Sequence, residues 1–159
     1  MGSEMCIRDS QDLVGPHGTS TLDLGGSLRA VVEYGRLRFD HGAPPPPEPV
    51  VLAVPGSVEY GDGRLRCEEA RDGGLDADTL GATLHVRPWQ EGDRMRPVGL
   101  GGTRTLQDLF TDRKVPREAR ARVPVVVARG EIAWVAGVAT GEGFAATAAT
   151  TRRVALRWP

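Results

Sequence analysis

The chain has 159 residues, with 20 lysines and arginines against 21 aspartates and glutamates, and its formal net charge is −1. This balance excludes a protein that coats nucleic acid through overall charge, and no apolar run is long enough to cross a bilayer. The 21 glycines and 12 prolines favour short strands and many turns over long helices. Cys6 and Cys67 lie far apart without neighbouring ligands, which argues against a disulfide framework or zinc site and indicates a reducing cytoplasm.

The first half of the chain is predicted to be β-rich. Residues 1–20 are predicted to be a disordered or non-native leader, and residues 21–82 an upstream β segment. Within it, "SLRAVVEYGRLRF" (27–39) alternates like a hairpin that turns near Tyr34-Gly35. The prolines of 43–49 predict a semi-rigid spacer. "VVLAV" and "GRLRCEEA" predict further strands, and the acidic, glycine-rich 70–81 is predicted to be a loop.

Residues 83–159 show clearer periodicity and are predicted to form a second domain. "TLHVRPW" (83–89) predicts a strand, and Thr103 or Thr105 is a suitable N-cap for a helix over "LQDLF". Pro116 can begin a second short helix. "VPVVVAR" and "EIAWVAG" predict a hairpin, and "RRVALRW" a last strand. The predicted fold class is α+β, predominantly antiparallel and sandwich-like, with one or two short helices.

No complete catalytic or metal site is evident. His17, His41 and His85 have no accompanying nucleophile motif, so structural or solvated roles are favoured. Asp108 and Asp112 share one helix face, where they could bind a metal ion or, more simply, balance the neighbouring cations. We therefore predict no catalytic residue, no metal ligand and no cofactor-binding residue in this chain.

A basic block occupies the middle of the chain. Residues 86–122 carry nine basic and five acidic side chains. "GLGGT" (99–103) lacks the lysine and spacing of a P-loop, so it either lets a phosphate approach the following helix start or only forms a tight turn. Trp89 and Trp134 lie inside strand patterns and are expected in the core, which leaves no row of aromatics for stacking bases.

The arginines of this block are the candidate binding residues, because guanidinium forks suit phosphate oxygens. Without stacking aromatics, recognition of a folded or double-stranded RNA by shape and backbone is favoured over sequence reading. The alternatives are a solvated charged face, or an interaction module that packs on a catalytic domain or subunit without binding RNA. The predicted RNA-binding residues are Arg94, Arg96, Arg104, Arg113, Lys114 and Arg117.

The segment "VRPWQEGDRMRPVGLGGTRTLQDLFTDRKVPREARARVPVVV", followed by "GEIAWVAG", resembles the C-terminal domain of tRNA(Ile)-lysidine synthases. This resemblance implies a fold related to a domain of the phenylalanyl-tRNA synthetase β subunit. It also implies a tRNA-gripping role, in part at the acceptor stem. The full-length family uses ATP, with Mg, to attach lysine to the wobble cytidine of the isoleucine tRNA with a CAU anticodon.

The chain departs from the family pattern in two places. No SGGxDS motif of the catalytic PP-loop domain occurs, so we expect no ligase activity from this chain alone. The expected partners are tRNA(Ile) and the missing N-terminal domain, with a homodimer as a further arrangement, no membrane association and a cytoplasmic location. "VATGEGFAAT" replaces a charged family pattern, but Phe144 and Thr147 keep it, which predicts a retained packing role there.

Overall fold

The computed structural model describes residues 19–25, 28–33, 36–41 and 45–159. They form two compact units, unit 1 (Met1–Pro44) and unit 2 (Pro45–Pro159). Of the predicted leader 1–20, only Thr19 and Ser20 belong to the described residues, and they begin the first strand.

Unit 1 contains one antiparallel three-stranded sheet with the order β1-β2-β3. The predicted hairpin is confirmed, since Leu28 pairs with His41 at one end and Glu33 with Arg36 at the other. Its turn residues, 34 and 35, lie outside the described residues. The strands are β1 (Thr19–Gly25), β2 (Leu28–Glu33) and β3 (Arg36–His41).

Unit 2 is built from short strands and three short helices in the described part of the chain. Its helices are α1 (Ala77–Leu80), α2 (Leu106–Asp112) and α3 (Arg117–Arg120), and a 3₁₀ turn covers Glu142–Phe144. Its strands are β4 (Val50–Ala53), β5 (Gly56–Tyr60), β6 (Gly63–Glu69), β7 (Leu75–Asp76), β8 (Thr83–Arg87), β9 (Arg94–Met95), β10 (Arg104–Thr105), β11 (Val125–Ala128), β12 (Glu131–Val135), β13 (Ala139–Thr140) and β14 (Arg153–Arg157).

These strands form a five-stranded sheet, β13-β12-β11-β8-β4, and a four-stranded sheet, β5-β6-β14-β7, with β9 and β10 as a separate two-stranded ribbon. All the pairings are antiparallel. The predicted hairpin over "VPVVVAR" and "EIAWVAG" is confirmed as β11 and β12, and the predicted last strand as β14. The architecture is α+β and mostly antiparallel, as expected.

Two apolar clusters stabilise unit 2 because the five-stranded sheet buries side chains on both faces. The first cluster joins the two sheets, with Leu84 and Val126 from the five-stranded sheet packed with Leu65 and Val154 from the four-stranded sheet. Phe144 is buried in it, which confirms the predicted packing role of that residue, whereas Thr147 is exposed. The second cluster joins α2 to Val125, Ile132 and Val135 of the five-stranded sheet. The sheet and the helix therefore fix each other's positions.

The predicted loop over residues 70–81 is confirmed for residues 70–74 and wrong for residues 75–80. Leu75 and Asp76 form β7, which pairs with β14, and α1 follows. The Asp76 side chain caps α1 by accepting hydrogen bonds from the backbone N–H groups of Asp78 and Thr79, at 2.9 and 3.2 Å. Leu80 of α1 is buried in the first cluster. The acidic and glycine-rich composition of this segment favoured a loop and gave no indication of the short capped helix.

The chain divides into its two compact units at a different point from the predicted domain boundary at 82/83. The division falls between positions 44 and 45, inside the predicted spacer 43–49. The position 82/83 lies within unit 2, because β4 pairs with β8 from Val50 opposite Val86 to Ala53 opposite Thr83. In the described residues, no helix is long and apolar enough to cross a membrane.

Candidate functional site

Helix α2 is held at its start by its own sequence. The Thr105 hydroxyl oxygen accepts a hydrogen bond from the Asp108 N–H at 3.1 Å, so Thr105 and not Thr103 is the N-cap. The Leu106 N–H donates to the Asp93 carbonyl at 2.9 Å. These bonds occupy N–H groups that a phosphate at the helix start would need. The structure thus favours the turn interpretation of "GLGGT", in which Gly101 and Gly102 have φ values of 55° and 99°.

Four arginines of the basic block have partners within the described residues, and we call them the anchored arginines. Arg87 makes a bidentate ion pair with Asp93, at 2.8 and 2.9 Å, and is half-buried. Burial acts to raise the pKa of Asp93, but the bonds from Arg87 and from the Gln90 N–H outweigh it and hold this pKa below its usual value. Arg87 therefore has a structural role.

The other anchored arginines are Arg96, Arg120 and Arg122. Arg120 donates to the Val115 carbonyl at 3.0 Å, and its guanidinium lies 5.7 Å from the centre of the Phe110 ring. Arg122 forms an ion pair with Asp62. Arg96 forms one with Glu142, but both of these side chains are more than half exposed. Such an exposed pair contributes only about 0–1 kcal/mol, so Arg96 can exchange its partner easily.

The remaining five predicted residues have no ion-pair or hydrogen-bond partner for their side chains within the described residues, and we call them the free cations. Arg94 and Arg104 lie on β9 and β10, where the register pairs Arg104 with Met95 and Arg94 with Thr105. The other three follow the end of α2. All five are exposed: Arg94, Arg104, Arg113, Lys114 and Arg117.

The turn after α2 has a fixed conformation. The Arg113 N–H donates to the Leu109 carbonyl at 3.0 Å, and the Val115 N–H donates to the Phe110 carbonyl at 2.8 Å. Lys114 lies between them with a φ of 56°, a left-handed conformation that is uncommon for a residue with a side chain. Consequently the backbone of this turn presents its cations from a defined position.

An open groove of about 610 Å³ lies beside this turn. One wall is the loop 97–100, where Val98 and Leu100 each expose 50% of their surface. Sequence reasoning missed both residues, although two isolated apolar side chains among glycines were the available signal. The groove is lined by Pro97, Val98, Gly99, Leu100, Leu109, Asp112, Arg113, Trp134, Gly137, Val138, Ala139 and Thr140.

Within the described residues, the other side chains considered in the sequence do not come together as a second site. His85 and His41 are exposed on strands, and His17 lies outside the described residues. Asp108 and Asp112 are exposed on α2, and among the described residues no group of three or more metal-ligand side chains occurs. Trp89 and Trp134 are half-buried, each packed against one apolar cluster. Cys67 is buried, and this burial raises the pKa of its thiol to about 11.

Comparison with known proteins places these features in a family. Residues 84–158 match the family model described as "TilS substrate C-terminal domain". A tRNA(Ile)-lysidine synthase of Symbiobacterium thermophilum is 34% identical over 86% of this chain and 33% of its own length. One from Dehalococcoides mccartyi is 41% identical over 50% of this chain and 17% of its own length. Residues 84–158 form a C-terminal domain of the tRNA(Ile)-lysidine synthase type.

A solved structure supports the same assignment. The crystal structure of a TilS C-terminal domain superposes with a TM-score of 0.59 and 27% sequence identity, and the match covers 70% of this chain and 96% of that one. The curated relatives are much longer than the region they share with this chain, which spans about a third of the length of the first of them. The family match includes all the free cations and the groove.

Proposed function

We propose that this domain binds tRNA(Ile) through backbone phosphates, as the recognition part of a tRNA(Ile)-lysidine synthase. The observation that carries the proposal is the division of the basic block. Its anchored arginines have carboxylate, carbonyl or aromatic partners, whereas the five free cations are exposed and unpaired within the described residues. Unpaired guanidinium groups at fixed positions are suited to phosphate oxygens.

The arrangement of the free cations favours a folded RNA over a flexible strand. Arg94 and Arg104 occupy a two-stranded ribbon, and the ribbon continues directly into α2. Arg113 lies at the opposite end of α2. The cations therefore mark two positions separated by one short helix. Successive phosphates of an RNA stem can be contacted in this way without reading the bases, and the acceptor stem is the part of the tRNA that we assign to this surface.

The chemistry of the whole enzyme belongs to the proposal as well. We assign ATP-dependent attachment of lysine to the wobble cytidine, with Mg, to a PP-loop domain outside this sequence. This chain contributes neither an SGGxDS motif nor, among its described residues, a metal-ligand cluster. Its contribution is affinity and position, since binding energy away from the reacting atoms can orient a substrate. We expect this activity in the cytoplasm.

A charge-matched pair of double variants tests the proposal. Arg94→Ala/Arg104→Ala removes two free cations, so we expect weaker binding to tRNA(Ile) and a log–log salt slope that is shallower by roughly two. Arg71→Ala/Arg152→Ala removes the same charge from exposed positions outside the basic block and should leave the slope unchanged. Fluorescence anisotropy with labelled tRNA at several salt concentrations measures both. Equal slopes for the two double variants would refute the assignment.

A second candidate function is an interaction module that packs against the catalytic domain or another subunit. The observation in its favour lies in unit 1, where Leu37 and Phe39 of β3 are 59% and 64% exposed. Two alternate apolar residues on one strand point to the same side of a sheet and can be covered by a protein partner. This function predicts that the chain binds the PP-loop domain and ignores tRNA.

A further inference from the structure

From the groove beside α2 we infer a second component of RNA binding, namely a site for one unpaired nucleotide. The inference rests on the proposed function and deepens it. The groove has a volume of about 610 Å³, within the range of about 300–1,000 Å³ typical of small-ligand sites. A nucleotide has a planar base, whose flat faces can cover apolar side chains, and a charged phosphate, and the groove offers a matching surface for each.

The apolar wall of the groove is held in place before any ligand binds. The Val98 N–H donates to the Thr140 carbonyl at 2.9 Å, and the Glu142 N–H donates to the Arg96 carbonyl at 2.8 Å. The ion pair between Arg96 and Glu142 adds a side-chain link at the same point. The loop 97–100 is thereby attached to β13 and the 3₁₀ turn. A preformed wall lowers the entropy lost on binding.

The side chains of Val98 and Leu100 explain why a base would enter. Each is half exposed at the groove, whereas Leu109 and Val138, which also line it, are already buried in the second cluster. Covering them with a flat apolar surface removes both from water. Neither residue contributes to either apolar cluster, so their exposure is not required by the fold.

The charges at the groove fix how a nucleotide would lie. Arg113 lines the groove and has a free guanidinium, and the other two free cations of the turn, Lys114 and Arg117, follow it. Asp112 lines the groove too and repels a second phosphate at its own position. If one base lies between the loop and α2, its single phosphate can pair with Arg113 and no second phosphate lies at Asp112.

The experiment compares two RNA hairpins that differ only in a single-stranded end. One is a blunt acceptor-stem hairpin, and the other carries three unpaired nucleotides. Covering the exposed halves of two aliphatic side chains contributes enough to change affinity by a factor of about ten, so we expect the second hairpin to bind the 159-residue chain about tenfold more tightly. Leu100→Ser should reduce this ratio to below twofold while leaving affinity for the blunt hairpin unchanged.

Val51→Ser is the matched control, because Val51 is 56% exposed on β4, at the opposite edge of the five-stranded sheet from β13. It should keep the tenfold ratio, and Val98→Ser provides a second test of the wall. Thermal unfolding of each variant verifies that the fold is intact. Competition with free ATP separates an RNA nucleotide from a free one, and we expect ATP to leave the ratio unchanged.

The outcomes separate the two proposals. Equal binding of the two hairpins by the unsubstituted chain overturns the nucleotide site and leaves phosphate recognition by the free cations standing. Loss of blunt-hairpin binding in Leu100→Ser also overturns it, because the loop would then act on the whole surface. If ATP abolishes the tenfold difference in affinity between the two hairpins, the groove is a site for a free nucleotide instead. No binding of either hairpin at any salt concentration rejects the proposed function together with this inference.

Discussion

The surroundings of Arg87 and of Arg113 differ, although both residues belong to one basic block. Arg87 ends β8, is half-buried and holds Asp93 through two hydrogen bonds. Arg113 follows α2, is exposed and has no side-chain partner within the described residues. The two arginines are indistinguishable by charge or by local composition. Only their surroundings distinguish an arginine that is held by the fold from one whose charge is available to the proposed ligand.

The difference shows how a basic stretch should be interpreted. Arginine side chains often donate hydrogen bonds to the carbonyls and carboxylates around a turn. A count of positive residues therefore overestimates the number that an RNA could contact. In this domain the anchored arginines stabilise the loops that carry the free cations. Arg96 lies between the two classes, because its ion pair with Glu142 is exposed and exchangeable. Variants of the two classes should therefore change different measurements.

The largest effect on stability is expected from Arg87→Ala. The substitution leaves the half-buried carboxylate of Asp93 without its bidentate partner, so we expect the free energy of unfolding to fall by about 2 kcal/mol. The salt slope for tRNA binding should not change, because Arg87 contacts no phosphate. Urea unfolding and anisotropy measure the two quantities. A shallower salt slope with unchanged stability would reverse the assignments of Arg87 and the free cations.

A smaller effect is expected from Thr105→Ala, which removes the N-cap of α2 but no charge. Loss of the hydrogen bond to the Asp108 N–H should lower the free energy of unfolding by about 1 kcal/mol. Thr103→Ala is the matched control, since Thr103 is exposed and caps nothing. It should unfold like the unsubstituted chain. If the two variants lose equal stability in thermal or urea unfolding, the cap does not hold α2 in place.

The smallest effect is expected on stability at acidic pH, and it involves Asp76, which lies outside the basic block. Hydrogen bonds from the Thr79 N–H and the Thr150 hydroxyl lower the pKa of Asp76 in the folded protein. A lowered folded-state pKa adds stability above the unfolded value of about 3.9, and this contribution is lost as pH falls through the folded value. Asp76→Asn keeps a capping oxygen without titrating, so its stability should fall less steeply below about pH 4. Identical acid profiles in urea unfolding would contradict this role.

Strong local patterns predicted much of the fold. Leu106, Leu109 and Phe110 have helical spacing after a threonine, and they form the buried face of the predicted helix. The apolar segments 125–128 and 131–135 pair as predicted. The segment 70–81 could not be predicted in the same way. Its strand β7 depends on pairing with β14, a partner distant in sequence, and no local pattern specifies such a contact.

The residue types of the candidate site could be predicted from the sequence. Which of its cations have ion-pair partners in the fold could not. All six predicted cations are exposed in the structure, but the sequence did not indicate that Glu142 would lie beside Arg96. The partner of Arg122, Asp62, lies on a turn in the other half of the chain. The groove depends on the loop 97–100 meeting β13 and α2 in three dimensions. Contacts between distant segments decide these features.

The pairing of β6 with β14 also determines when this domain can fold. β6 lies early in unit 2, whereas β14 is the last strand described, and Leu156 pairs with Cys67 across the whole intervening sequence. During synthesis the apolar face of β6 has no neighbour in its sheet other than β5 until β14 leaves the ribosome. Long-range pairing of this kind slows folding and prolongs exposure of apolar strands. Nascent chains that stop before β14 are therefore expected to need chaperone protection.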